Sequence, residues 1–132
     1  MGTPIFINKQ IGNFNEEITV PGDKSLSIRW ALMASQALGK SKAYNLLMSE
    51  DVIAALDSIK KLGIKVKLTK NHCEINGNGI NGFKYKKNLI INAKNSGTFG
   101  RLILGLLIKS PQKIKLLGDK SLSKRDFSRV TI

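Results

Sequence analysis

The sequence predicts an α/β fold assembled from repeated βαβαββ-type units with buried helices, the second unit truncated before its closing strands. Three observations carry this. Short apolar alternations, such as Ile5/Ile7 and Ile18/Val20, have the period of strands. Longer stretches combine helical spacing with helix-type boundaries. The order of elements around Ser25 to Arg29 also returns 72 residues later around Gly97 to Arg101.

Taken in order, the alternations at Ile5/Ile7 and Ile18/Val20 form strands that Pro21-Gly22 ends, which places a junction near residue 21. Residues 25–38 read as a largely buried helix stopped by Gly39, and residues 43–47 as a strand. Ser49 N-caps a second helix. Its first turn carries Glu50 and Asp51 at the positive end; Val52, Leu56, Ile59 and Leu62 share one face, Lys60 and Lys61 come late, and Gly63 closes it. Residues 64–68, 72–75 and 89–91 are strands. The second pass then begins: an apolar helix from Gly97 to about residue 108, a strand at 114–117, and a helix from Ser123 onward. Two more strands should follow that helix, yet the chain stops at Ile132, so the sequence reads as interrupted inside its second repeat.

With 132 residues and 42% apolar content the chain can build a core. No apolar run is long enough to span a membrane, and the N-terminus has neither a secretory nor a myristoylation pattern, so a cytoplasmic protein without a membrane partner is expected. The lone cysteine, Cys73, excludes an internal disulfide. Its neighbour His72, the only histidine, would point to the opposite face of a strand, so no metal site is expected. The formal charge of +13 asks for an anionic partner. Most of the basic residues are scattered lysines, a solvated-surface pattern; the four arginines are more informative, because a guanidinium grips phosphate or carboxylate through two parallel hydrogen bonds.

Two glycine patterns fail as nucleotide sites. Gly77-Asn78-Gly79-Ile80-Asn81-Gly82 has dinucleotide-fingerprint spacing, but a polar, basic stretch follows where a helix is needed, so a turn is expected. Gly39-Lys40-Ser41 resembles a P-loop end, yet Ala34 occupies the place of its first glycine. Three other motifs share a different design, each offering an anion a cradle. Gly22-Asp23-Lys24-Ser25-Leu26-Ser27-Ile28-Arg29 sets a lysine and hydroxyls at a helix start, where free N–H groups and the dipole favour negative charge. Asn95-Ser96-Gly97-Thr98-Phe99-Gly100-Arg101 pairs small residues with an arginine on the first turn. Lys120-Ser121-Leu122-Ser123-Lys124-Arg125 is a third basic, hydroxylic cluster. Capping plus surface charge would explain any one of them alone; three together favour a site.

On these motifs the sequence resembles the 5-enolpyruvylshikimate-3-phosphate synthases, whose first signature is similar to residues 20–29, the second to 95–101 and the third to 118–125. The Ser/Arg arrangement of the first disfavours the related UDP-N-acetylglucosamine enolpyruvyl transferases. The resemblance implies two globular halves of three α/β units each, with the active site between them. Residues 1–20 would then be a strand segment approaching the hinge, and residues 21–132 an incomplete N-terminal half with repeats at about 21–80 and 81–132. It implies carboxyvinyl transfer from phosphoenolpyruvate to shikimate 3-phosphate, with no cofactor. Lys24 would contact both substrates and is the one catalytic assignment. Ser25 and Arg29 would bind shikimate 3-phosphate, and Asn95, Gly97, Thr98, Arg101 and Arg125 would serve phosphoenolpyruvate. Two positions depart from the family pattern. Lys94 stands where glycine is common, which would perturb the phosphoenolpyruvate loop, and Asp126 stands where proline is common, an acid that would compete for Arg125.

The family places its acidic catalytic residues in the second half, so this chain alone is expected to be inactive, and Glu50, Asp51 and Asp57 read as cap and surface residues. The rival reading is a non-catalytic basic module for nucleic acid or another polyanion. It is disfavoured because Trp30, Phe99 and Phe127 lie in helical segments, leaving only Phe83 and Tyr85 beside a lysine patch.

Overall fold

Helix α2 (Glu50–Lys61) shows how closely local chemistry sets this architecture. Val52, Ala55, Leu56 and Ile59 are buried on one face, while Asp57 and Lys60 pair on the other with Lys60 Nζ 3.0 Å from Asp57 Oδ1. The helix ends at Gly63, whose φ of 88° lies where a Cβ is disfavoured; Gly63 N–H donates to Lys60 O and Ile64 N–H to Ile59 O, a Schellman closure. Ser49 occupies the N-cap position as expected but makes no side-chain cap bond, and its hydroxyl is buried without a partner among the described residues.

In the computed structural model, which describes residues 4–6, 8–10, 12–13 and 15–131, the other elements follow in order. They are α1 (Lys24–Gln36), β1 (Leu38–Tyr44), then α2, β2 (Lys65–Leu68), β3 (His72–Asn78), β4 (Leu89–Asn92), α3 (Gly97–Leu106) and β5 (Ile114–Leu117), with a 3-10 turn at Leu122–Lys124. The first sheet is antiparallel in the order β1-β3-β2, while β4 and β5 pair in parallel with α3 as the crossover. One core joins both units: Ile28 and Ala31 of α1, Ile75 of β3, Ile91 of β4, and Phe99 and Ile103 of α3 are all fully buried.

Several expectations need correction. Ile18 and Val20 form no strand; they are 68% and 67% exposed, and the segment is held by Asn45 Nδ2 donating to Val20 O at 3.1 Å. Ile5 lies outside any strand, and Ile7 falls outside the described residues. Gly39 is not the stop of α1. The chain leaves the helix at Ala37, whose ψ of 159° is extended, so Gly39 already belongs to β1. The strand expected at 43–47 is therefore centred earlier. No helix starts at Ser123: Arg125 is extended, and Asp126 takes the Ser128 N–H on its carboxylate, so the next helical turn opens at Phe127, whose carbonyl accepts from Val130 N–H and Thr131 N–H.

Residues 77–82 make a turn, as expected, with Gly82 N–H donating to Gly79 O, and residues 39–41 lie in β1. In β3, Cys73 is buried while His72 faces outward, where its Nε2 lies 3.1 Å from Glu74 Oε1. Glu74 also meets Lys42 Nζ at 3.1 Å and Lys40 Nζ at 3.6 Å across the sheet. The hydrogen bond from Lys42, followed by that from His72 and the charge of Lys40, holds the Glu74 carboxyl down at about 2. A carboxyl depressed in the folded state adds stability that is complete above its unfolded value near 4.5 and is lost as pH falls toward about 2. Glu74→Gln is accordingly expected to flatten the acid limb of the stability curve between those values, measured by urea midpoints across pH, and an unchanged limb would disprove the pairing.

Candidate functional site

The first motif is built around the start of α1. Asp23 is the N-cap, its Oδ1 accepting from Leu26 N–H at 2.7 Å, and Ser27 Oγ donates to Asp23 O at 2.6 Å. The same Ser27 oxygen accepts from Leu47 N–H at 3.1 Å, clasping the β1–α2 loop against the helix start. Gly22 lies so close to this loop that a Cβ there would sit 2.1 Å from Asn45 O. Lys24 opens α1, and its Nζ lies 3.1 Å from Asp51 Oδ2 on α2. Ser25 is half-buried. Arg29, one turn on, is exposed and borders an apolar groove of about 500 Å³ that Leu102 and Leu106 of α3 also line.

The second and third motifs converge. Ser96 caps α3 by accepting from Phe99 N–H at 3.1 Å, which leaves the first amides of the helix at Gly97 and Thr98. Gly97 lies under two guanidinium groups: the position a Cβ would take is 2.9 Å from Arg101 Nη1 and 3.0 Å from Arg125 Nη1. Arg101 is steadied by donation from Nη2 to Asp126 O at 2.8 Å and by lying 5.1 Å over the Phe127 ring. Arg125 donates to Asn95 Oδ1 at 2.8 Å, Asn95 Nδ2 donates to Asp119 Oδ2 at 2.6 Å, and Asp119 Oδ1 accepts from Leu122 N–H at 2.7 Å. These bonds, led by that from Leu122, hold the Asp119 carboxyl below the usual carboxylate range. Two like charges thus face one helix N-terminus, and neither makes an ion pair among the described residues, an arrangement complementary to an anion.

Asn95, Gly97, Arg101 and Arg125 therefore form one cluster, with half-buried Thr98 beside it on α3. Lys24, Ser25 and Arg29 form a second, joined to the first through the α1–α3 packing and not by any ion pair among the described residues. Lys94 adopts a φ of 52°, a left-handed conformation that glycine takes without a Cβ penalty, and Asn92 Oδ1 supports the strained backbone by accepting from Lys94 N–H at 2.9 Å. Asp126 does not contest Arg125. Its carboxylate takes the hydroxyl and N–H of Ser128, which hold it low, while its backbone carbonyl goes to Arg101.

The cap-and-surface reading of Asp51 fails, because the residue is only 9% exposed and faces Lys24. Its spacing from Ala55, Ser58 and Leu62 puts it on the inner stripe of α2, a signal present in the sequence but outweighed there by its charge and its place in the first turn. Asp119 and Phe127 were also missed, since their partners are 24 and 26 residues away in sequence.

Comparison with known proteins places the chain in a family. The sequence profile of EPSP synthase (3-phosphoshikimate 1-carboxyvinyltransferase) matches residues 8–131. The 3-phosphoshikimate 1-carboxyvinyltransferase of Leuconostoc mesenteroides is 41% identical over 114 residues, covering 86% of this chain and 26% of that protein. The Streptococcus mutans protein of the same name is 39% identical over 87% of this chain and 27% of its own length. An EPSP synthase structure from Acinetobacter baumannii superimposes with a TM-score of 0.73 at 36% identity, covering 85% of this chain and 26% of that one. The chain thus spans about a quarter of the length of these relatives. On the profile match, the relatives and the shared fold, the chain belongs to the EPSP synthase family.

Proposed function

We propose that this chain supplies one wall of a site that transfers the carboxyvinyl group of phosphoenolpyruvate to shikimate 3-phosphate. The observation that carries the reading is the pair of guanidinium groups of Arg101 and Arg125 meeting over Gly97 at the start of α3. In this reading Asn95, Gly97, Thr98, Arg101 and Arg125 surround phosphoenolpyruvate, Ser25 and Arg29 hold shikimate 3-phosphate, and Lys24 reaches both. Residues 1–20 approach the hinge, and residues 21–132 belong to the N-terminal half. The setting is cytoplasmic.

Joining two anions needs fixed positive charge to hold them together, which this wall provides. A substrate hydroxyl adds to the substituted carbon of the enol, giving up its proton to a base while an acid protonates the methylene. The tetrahedral adduct then loses phosphate and one methyl proton to restore the double bond. Four carboxylates beside the basic clusters are already engaged: Asp23 with Leu26 N–H, Asp51 with Lys24, Asp119 with Asn95 and Leu122 N–H, and Asp126 with Ser128. Proton transfer to carbon is therefore assigned to the portion of the relatives that this chain does not span.

The test is phosphate release from phosphoenolpyruvate plus shikimate 3-phosphate. The chain alone is expected to show no turnover above a Lys24→Ala control, and turnover is expected when it is completed by the C-terminal portion of a relative. Turnover by the short chain would overturn the division of labour. A melting-temperature rise with DNA and none with shikimate 3-phosphate would favour the polyanion module instead. Phe83, Tyr85 and Phe127 pack against the core and Phe99 is fully buried, which leaves Phe6 and Tyr44 as exposed rings and no row of stacking aromatics among the described residues.

A further inference from the structure

Lys24 occupies a place where a cation is disfavoured. It is the first residue of α1, where the free N–H groups and dipole already present positive charge. Asp51 occupies the complementary place. It sits in the first turn of α2 on the inward face, and a carboxylate that is only 9% exposed is costly unless paired. The two meet with Nζ 3.1 Å from Oδ2. Asp51 is largely enclosed, with a side chain 12% exposed, whereas that of Lys24 is 48% exposed. The anchor of this pair is therefore the acid, and the ammonium, which has three donors, keeps others free for solvent or ligand. The frame beneath the pair is tied independently, because Leu47 N–H donates to Ser27 Oγ and Ser27 Oγ to Asp23 O. The helix starts would thus stay in place if Asp51 were replaced, and only the ammonium would be released.

We propose that Asp51 is the positioning residue for Lys24, holding its ammonium across the α1–α2 junction at the mouth of the anion-binding cradle. The proposal rests on the substrate-binding reading of Lys24 given above. It predicts a sign that simple charge counting does not. Removing a carboxylate beside an anion site should tighten anion binding if the carboxylate only repels the ligand. A positioning role predicts weaker binding instead.

The experiment titrates shikimate 3-phosphate into the 132-residue chain, read by calorimetry. Asp51→Ala is expected to weaken binding about three- to tenfold, the range for a partly exposed charge-assisted contact. Asp51→Asn, which keeps an acceptor oxygen in the same place, is expected to restore most of the affinity. The double variant Lys24→Ala/Asp51→Ala should bind no more weakly than Lys24→Ala alone. In parallel, acetylation of Lys24 read by mass spectrometry should accelerate about threefold or more in Asp51→Ala relative to Lys87 of the same molecule, as release of an ion pair requires. Tighter binding in both Asp51 variants, additive losses in the double variant, or an unchanged acetylation rate would each overturn the proposal. Absence of shikimate 3-phosphate binding by the unaltered chain, with the acetylation rate still dependent on Asp51, would overturn the substrate-binding reading and leave the Lys24–Asp51 pair standing, whereas an acetylation rate independent of Asp51 would overturn the positioning role itself.

Discussion

Arg101→Lys is expected to weaken phosphoenolpyruvate binding by about 1.5 to 3 kcal/mol, roughly ten- to more than a hundredfold, while alanine at Lys60, Lys61 or Lys113 leaves it near its original value. The reason is geometric. The Arg101 guanidinium performs three tasks at once: Nη2 donates to Asp126 O, Cζ lies over the Phe127 ring, and Nη1 lies beside the space above Gly97. A lysine ammonium is a single point of charge on a flexible stem, and it cannot lie flat on the ring and reach the ligand together. Lys60, by contrast, is paired with Asp57 on the outer face of α2, away from both basic clusters. Titration calorimetry with phosphoenolpyruvate in the presence of shikimate 3-phosphate measures the difference, and equal affinities for Arg101→Lys and the unaltered protein would remove Arg101 from the site.

The second large effect is expected at Gly22. An alanine Cβ there would lie 2.1 Å from Asn45 O and 2.8 Å from Leu47 N, both backbone atoms that cannot rotate away. The β1–α2 loop would have to withdraw from α1, straining the Leu47–Ser27 and Asn45–Val20 hydrogen bonds. A loss of about 2 to 4 kcal/mol is expected, in the range for overpacking with broken polar contacts, together with weakened shikimate 3-phosphate binding. Gly105→Ala is the control, because no atom lies within 4 Å of its Cβ and it sits inside α3, where alanine should gain about 0.5 to 1 kcal/mol. Urea unfolding distinguishes the two, and similar midpoints would show that the loop yields freely at residue 22.

Much of this was legible from local patterns. Helix α2 and its closing glycine followed from spacing and end chemistry, and β5 matched its expected span, because both depend on interactions within a few residues. The family was equally legible, since the three motifs that carry the resemblance are contiguous strings of residue types. The failures share a physical cause. Ile18/Val20 has the alternation of a strand, but alternation does not supply a partner, and this stretch hydrogen-bonds to a side chain instead of a ladder. The helix expected at Ser123 was displaced by Asp126, whose contacts with Ser128 start the turn later.

Among the candidate site residues, sequence alone determined that Lys24, Arg29 and Arg101 carry positive charge in the first turns of α1 and α3, while Arg125, expected before a helix, follows a 3-10 turn instead. Only the tertiary structure decided what holds them. Asp51 reaches Lys24 from α2, Asp119 braces Asn95 and through it Arg125, and Phe127 lies beneath Arg101. Charge and helix position are properties of short segments, whereas a brace depends on chain folding back across 24 to 30 residues, a distance over which sequence spacing carries no geometric information.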